Sequence, residues 1–127
     1  MTASSETESR TSPMWGLVQP AVLLVLSEGP QHGYALLEAL QARGYLPGKA
    51  DVGNLYRGLR RLEKSGAVTS EWVRQSGPGP SRRTYQITDQ GRQLLYQEAL
   101  ALADRAGVIA KLLNEYRRLY PTGPDGR

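Results

Sequence analysis

The chain has 127 residues, with 16 Lys and Arg against 12 Asp and Glu, a formal charge of +4 and a pI near 9.6. It has no cysteine, which excludes disulfides, thiolate metal sites and a cysteine nucleophile. The length allows one domain with short tails and a small core, and the basic balance favours an anionic partner.

The excess charge is local. Residues 14–88 hold nine Lys/Arg and five Asp/Glu, residues 89–120 hold five and four, and the two tails together hold two and three. Residues 1–13 have almost nothing to bury and are expected to form a disordered arm. They lack a basic segment followed by an apolar core, so no signal peptide is expected. The longest apolar run, Ala21 to Leu26, is too short to span a bilayer. A cytoplasmic protein without a membrane partner is expected.

Ser12-Pro13 has the form of an N-cap and first helical position. The helix it opens is expected to reach Glu28 and stop at Gly29-Pro30. Leu17, Ala21, Leu24 and Val25 repeat at helical spacing, and Val18, Val22 and Leu26 widen the stripe, so neighbours are expected on several sides. A second helix is expected from Gln31-His32-Gly33-Tyr34 to Arg43, with Tyr34, Leu37 and Leu40 inward, Leu36 beside them and Gly44 as its stop. His32, the only histidine, is more ordinary as a cap or packing group than as a metal ligand.

After a Pro47-Gly48 turn comes the most informative stretch, Asp51 to Gly66. Leu55, Leu59 and Leu62 make one apolar face. Asp51 is a candidate N-cap and Gly66 a C-terminal stop. The other face carries Asn54, Arg57, Arg60, Arg61 and Lys64, with Tyr56 at its edge. Asn and Arg can read base edges, while Arg and Lys neutralise phosphates. A DNA recognition helix and a solvated surface helix both fit this segment taken alone. Two strands should follow, Ala67–Arg74 and Arg82–Ile87, joined at a Gly77-Pro78-Gly79 tip that bears Arg82 and Arg83.

Thr88 is the expected cap of a last helix from Asp89 to about Tyr120, stopped by Pro121. At about 1.5 Å per residue it would be roughly 48 Å long, more than a small domain needs. Leu94, Leu95, Ala99, Leu102, Ala106, Ile109, Leu112, Leu113, Tyr116 and Leu119 line it, with Gly107 as a candidate bend. A second copy of the chain is the simplest partner for such a band. Leu95, Ala99, Leu102, Ala106, Ile109 and Leu113 are the candidate dimer contacts. Folding back along the first helix is the alternative.

The fold class expected is mainly α with a small β-hairpin: a winged helix-turn-helix followed by a long dimerisation helix. The expected organisation is an arm at 1–13, a winged helix at 14–88, the long helix at 89–120 and a flexible tail at 121–127. Helix three would enter the major groove and the hairpin would lie along the backbone. The candidate DNA contacts are Asn54, Tyr56, Arg57, Arg60, Arg61, Lys64, Arg82 and Arg83. A protein-docking or RNA-binding winged helix is the other reading, although the chain lacks strands rich in base-stacking aromatics. An enzyme is not expected: the single histidine has no cysteine or convergent carboxylate pair beside it, and no phosphate loop runs from strand to helix. No cofactor and no metal are expected.

Three blocks resemble the PadR family of bacterial transcriptional regulators. They are Leu26-Ser27-Glu28-Gly29-Pro30-Gln31-His32-Gly33-Tyr34, the run Gly53 to Gly66, and Arg82-Arg83-Thr84-Tyr85-Gln86-Ile87-Thr88-Asp89-Gln90-Gly91. The resemblance covers residues 20–88. It implies a homodimeric repressor of double-stranded DNA, whose C-terminal helix swaps contacts with the partner's first helix. It also implies that Tyr56 holds the DNA backbone and that a hydrophobic or aromatic small molecule releases the operator. The single C-terminal helix resembles the small subfamily. Two departures stand out. Asp51-Val52-Gly53-Asn54 replaces the usual Ser-Pro-Gly-Thr/Ser opening of helix three. Leu102 stands where a multidrug-binding member has a stacking tryptophan, which leaves Trp15 and Leu102 as the candidates for an effector pocket.

Overall fold

The structure is a computed structural model that describes residues 15–46, 52–74 and 77–125, with Trp15 and Gly16 described in backbone only. The arm, the Ser12-Pro13 cap, the Pro47-Gly48 turn, Asp51 as a cap and the Trp15 side chain lie outside the described residues. Two compact units divide the chain, Met1–Leu95 and Tyr96–Arg127.

In order, the elements are α1 (Trp15–Leu26), β1 (Gln31–His32), α2 (Gly33–Ala42), α3 (Val52–Lys64), β2 (Val68–Val73), β3 (Arg82–Ile87) and α4 (Asp89–Leu119). The three strands form one antiparallel sheet in the order β1-β3-β2. The β2–β3 hairpin runs in register from Val68 opposite Ile87 to Val73 opposite Arg82. Strand β1 adds only Gln31 opposite Tyr85 and His32 opposite Thr84. Two residues carry no readable alternation, so sequence reasoning saw the hairpin and not this third strand.

α1 buries Ala21, Val22, Leu23, Val25 and Leu26, while Leu17 and Leu24 remain partly exposed. A helix apolar nearly all round gives no angular signal, which is why the expected stripe chose Leu24 over Leu23. Pro20 lies inside α1, where it withholds one backbone donor from the ladder. On α2 the buried residues are Gly33, Leu36, Leu37 and Leu40, the i, i+3, i+4, i+7 positions of one face. Tyr34 is one step off that face and 72 % exposed, which corrects its expected inward position.

α2 and α3 end alike. Gly44 and Gly66 adopt φ of 76° and 89°, where a side chain would be strained. Tyr45 N–H donates to Leu40 C=O and Gly44 N–H to Gln41 C=O; Ala67 N–H donates to Leu62 and Gly66 N–H to Glu63. Both ends are therefore Schellman caps. At the start of α4, Thr88 Oγ1 accepts the Gly91 N–H at 2.9 Å and donates to Gly66 C=O at 2.6 Å. Thr88 is thus the cap the sequence suggested, and it also ties α4 to the end of α3. A Cβ at Gly91 would overlap the Ala67 carbonyl oxygen, so this approach requires glycine.

The core of the first unit gathers Leu23, Val25, Leu26, Leu36, Leu40, Leu59 and Val68 at its centre, each under 2 % exposed. Leu94 and Leu95 pack against it, half-buried. Leu95 thus serves this core as well as standing among the candidate dimer contacts. In the second unit, α4 continues with Leu100, Val108, Ile109, Leu112, Leu113, Tyr116 and Leu119 all exposed. Tyr116 stacks at a tilt on Tyr120, with ring centroids 5.2 Å apart, and Arg118 pairs with Glu115. The helix runs through Gly107.

Candidate nucleic-acid interface

α3 owes its orientation to its leucines. Leu55, Leu59 and Leu62 are at most 2 % exposed, and this fixes the opposite face outward. Arg57, Arg60, Arg61 and Lys64 are exposed there, while Asn54 and Tyr56 are half-buried. Arg57 donates to Asn54 Oδ1, one turn earlier. The Tyr56 ring reaches back over the start of α2, so that a Cβ at Gly33 would overlap its hydroxyl. Gly33 thereby gives Tyr56 its seat.

The hairpin stands beside this face. Between them lies an open cleft of about 620 Å³, lined by Tyr34, Tyr56, Arg60, Trp72, Arg82 and Tyr85 among others. Burial pushes the Tyr85 phenol up, an effect that Arg83 opposes.

The two wing arginines differ. Arg83 is held by the protein: Nε donates to Ser70 Oγ at 3.0 Å, Nη2 lies 3.4 Å from Glu63 Oε2, and the guanidinium stands 5.6 Å from the Trp72 ring centroid. Glu63 also accepts from Ser70 Oγ at 2.5 Å. This network links α3 to the hairpin and partly neutralises Arg83. Arg82 makes no ion pair among the described residues; its Nη1 lies 2.8 Å from His32 Nε2.

All eight residues expected to contact DNA belong to α3 or β3 of the first unit; Tyr56, Arg60, Arg82 and Arg83 share the cleft, while Asn54 and Arg61 line a smaller pocket against α1. Among the cleft residues that sequence reasoning missed are His32, Tyr34, Glu63 and Trp72. Tyr34 was misplaced because the inward face of α2 begins at Gly33, which has no side chain to mark it. His32 and Trp72 depend on the β1–β3 and β2–β3 registers, and Glu63 on how α3 meets the hairpin through Ser70 and Arg83, which local pattern does not reveal. Among the described residues there is no cluster of three potential metal ligands, and no helix is long and apolar enough to cross a membrane.

The sequence model of the Transcriptional regulator PadR-like family matches residues 22–97. An uncharacterized 37.1 kDa protein in transposon TN4556 of Streptomyces fradiae is 37 % identical over 92 residues, covering 72 % of this chain and 24 % of that protein. Transcriptional regulator Rv3488 of Mycobacterium tuberculosis is 36 % identical over 75 residues, covering 59 % of this chain and 65 % of its own length. The chain thus matches less than two thirds of either relative. The crystal structure of a PadR family transcriptional regulator from Eggerthella lenta is similar at 35 % identity and a TM-score of 0.60, covering 72 % of this chain and 80 % of that one. With the family match spanning α1 to the first turns of α4, the chain belongs to the PadR-like family of transcriptional regulators, a family of regulators and not of enzymes.

Proposed function

We propose that this chain is a DNA-binding regulator that acts in the cytoplasm as a homodimer, repressing from a pseudo-palindromic operator. The observation that carries the reading is the one-sided charge of α3. Three buried leucines hold the helix, and four cations stand on its free faces. Such a helix suits the major groove. Arg57, Arg60, Arg61 and Lys64 supply phosphate affinity, and Asn54 is the candidate for base readout. Tyr56 and the wing arginines flank the backbone.

One chain carries one such helix, and a palindrome needs two. The exposed apolar residues of α4, among them Ile109, Leu113 and Tyr116, support a second copy as the partner. Pairing there would also use Ala99, Leu102 and Ala106. Release by a hydrophobic or aromatic effector follows from the family resemblance, with Trp15 and Leu102 the residues to vary first.

Selection of duplexes from a random library tests the reading. The expected product is a motif with two half-sites about one helical turn, roughly 34–36 Å, apart. No enrichment of any duplex, or preferential recovery of single strands, would contradict it.

A further inference from the structure

His32 engages both ring nitrogens. Nδ1 accepts the Ala35 N–H at 3.3 Å and so caps α2. A neutral imidazole that accepts at Nδ1 carries its proton on Nε2. Nε2–H then faces Arg82 Nη1 at 2.8 Å, and a guanidinium has donors only. Two donors at this separation repel unless an acceptor lies against both. The other tautomer would accept from Arg82 but turn Nδ1–H against the Ala35 N–H. Either way, one donor at this point lacks an acceptor within the pair.

Among the described residues that line the cleft, no free carboxylate supplies it. Glu63, the carboxylate lining the cleft, is engaged by Ser70 and Arg83. His32 and Arg82 lie on the adjacent strands β1 and β3, and both line the open cleft that also holds the Tyr56 ring. An acceptor arriving from solvent would meet several donors at once, and a tetrahedral oxyanion can accept from more than one of them.

We propose that His32 Nε2–H and the Arg82 guanidinium together seat one backbone phosphate of duplex DNA in the cleft between α3 and the wing. The proposal rests on the DNA-binding reading and adds to it a contact from outside the recognition helix. His32 thereby acquires two roles, an inner nitrogen that caps α2 and an outer one that holds DNA. The seat carries no base information; it sets how the wing rests on the backbone.

The test separates the two nitrogens. His32→Asn keeps a good capping acceptor and removes the outer donor. Anisotropy titration of a random-sequence 20-base-pair duplex, with thermal melts to verify folding, compares wild type, His32→Asn, Arg82→Gln and the double variant. His32→Asn is expected to melt like wild type and bind about three- to tenfold more weakly. Arg82→Gln is expected to lower the salt slope by about 0.9 for each phosphate that the arginine no longer neutralises. The double variant should lose less than the product of the two single effects, because both act on one phosphate.

In a second arm, the His32 ring nitrogens are followed by NMR. They should shift on adding the duplex and stay in place with inorganic phosphate at the same phosphate concentration. Wild-type affinity in His32→Asn, or independent effects of the two substitutions, would overturn the seat while leaving the DNA reading intact. A response to inorganic phosphate with unchanged duplex affinity would overturn it in favour of a free-anion site. Wild type that binds no duplex would instead overturn the DNA-binding reading itself, and the seat with it.

Discussion

α3 and the outer part of α4 are written in the same alphabet. Leu55, Leu59 and Leu62 recur at helical spacing, and so do Ile109, Leu112, Leu113 and Tyr116. Yet the first set is at most 2 % exposed and the second is 45–67 % exposed. The difference lies in what each helix is given to cover. α3 has α1, α2 and the sheet around it, and one core accommodates its leucines. The outer residues of α4 have no such neighbours in the second unit. Apolar spacing thus specifies a face that wants burial and leaves open which chain supplies the cover.

Substitutions can break that comparison, and the largest effect belongs to the filled face. Leu59→Ala should cost about 2–5 kcal/mol through reduced transfer energy and a cavity, measured by denaturant unfolding. Leu112→Ala, made and measured at concentrations too low for association, should cost under about 0.5 kcal/mol. Near-equal costs would mean that the two faces are not different in kind. Next comes the open face at higher concentration. Ile109→Glu should weaken self-association by about a hundredfold or more, since it sets two like charges against a desolvated contact. Sedimentation equilibrium reads this directly, and a wild type that stays monomeric at high concentration would exclude α4 as a dimer interface.

Smaller effects concern the charged side of α3. Arg60→Ala or Arg61→Ala should weaken binding to all duplexes alike, by about three- to tenfold, and should lower the salt slope by about one. Binding that is unchanged across salt would place the phosphates elsewhere. Asn54→Ala should have the smallest effect on random DNA and a larger one on sequence preference, about 1–3 kcal/mol at the base it reads. Selections with both proteins that return the same motif would assign readout to another residue. Arg57→Ala belongs beside it as a control, because Arg57 donates to Asn54 Oδ1 and the substitution at Asn54 removes that acceptor.

These faces were legible to different degrees in the sequence. The α3 leucines, the glycine stops at Gly44 and Gly66 and the Thr88 cap follow from local rules of spacing and backbone conformation, and the structure keeps each of them. Tyr34 points outward because the inward stripe of α2 begins at Gly33, a residue with no side chain to signal it. α1 hid its buried edge because almost every position is apolar. The partnerships of the charged groups were not legible at all. Arg82 and Arg83 are adjacent and identical in the chain, yet one meets His32, 50 residues away, and the other meets Glu63. Only the strand register separates them, since successive residues of a strand face opposite sides.

The central claim is that the cationic face of α3 and the wing grip duplex DNA. A titration of one random duplex and its single strand against wild-type protein, repeated from low to physiological salt, tests it most directly. Preference for the duplex is expected, with a log–log salt slope of several units that reflects multiple phosphate contacts. A flat salt dependence, or no preference for duplex over single strand, would contradict it.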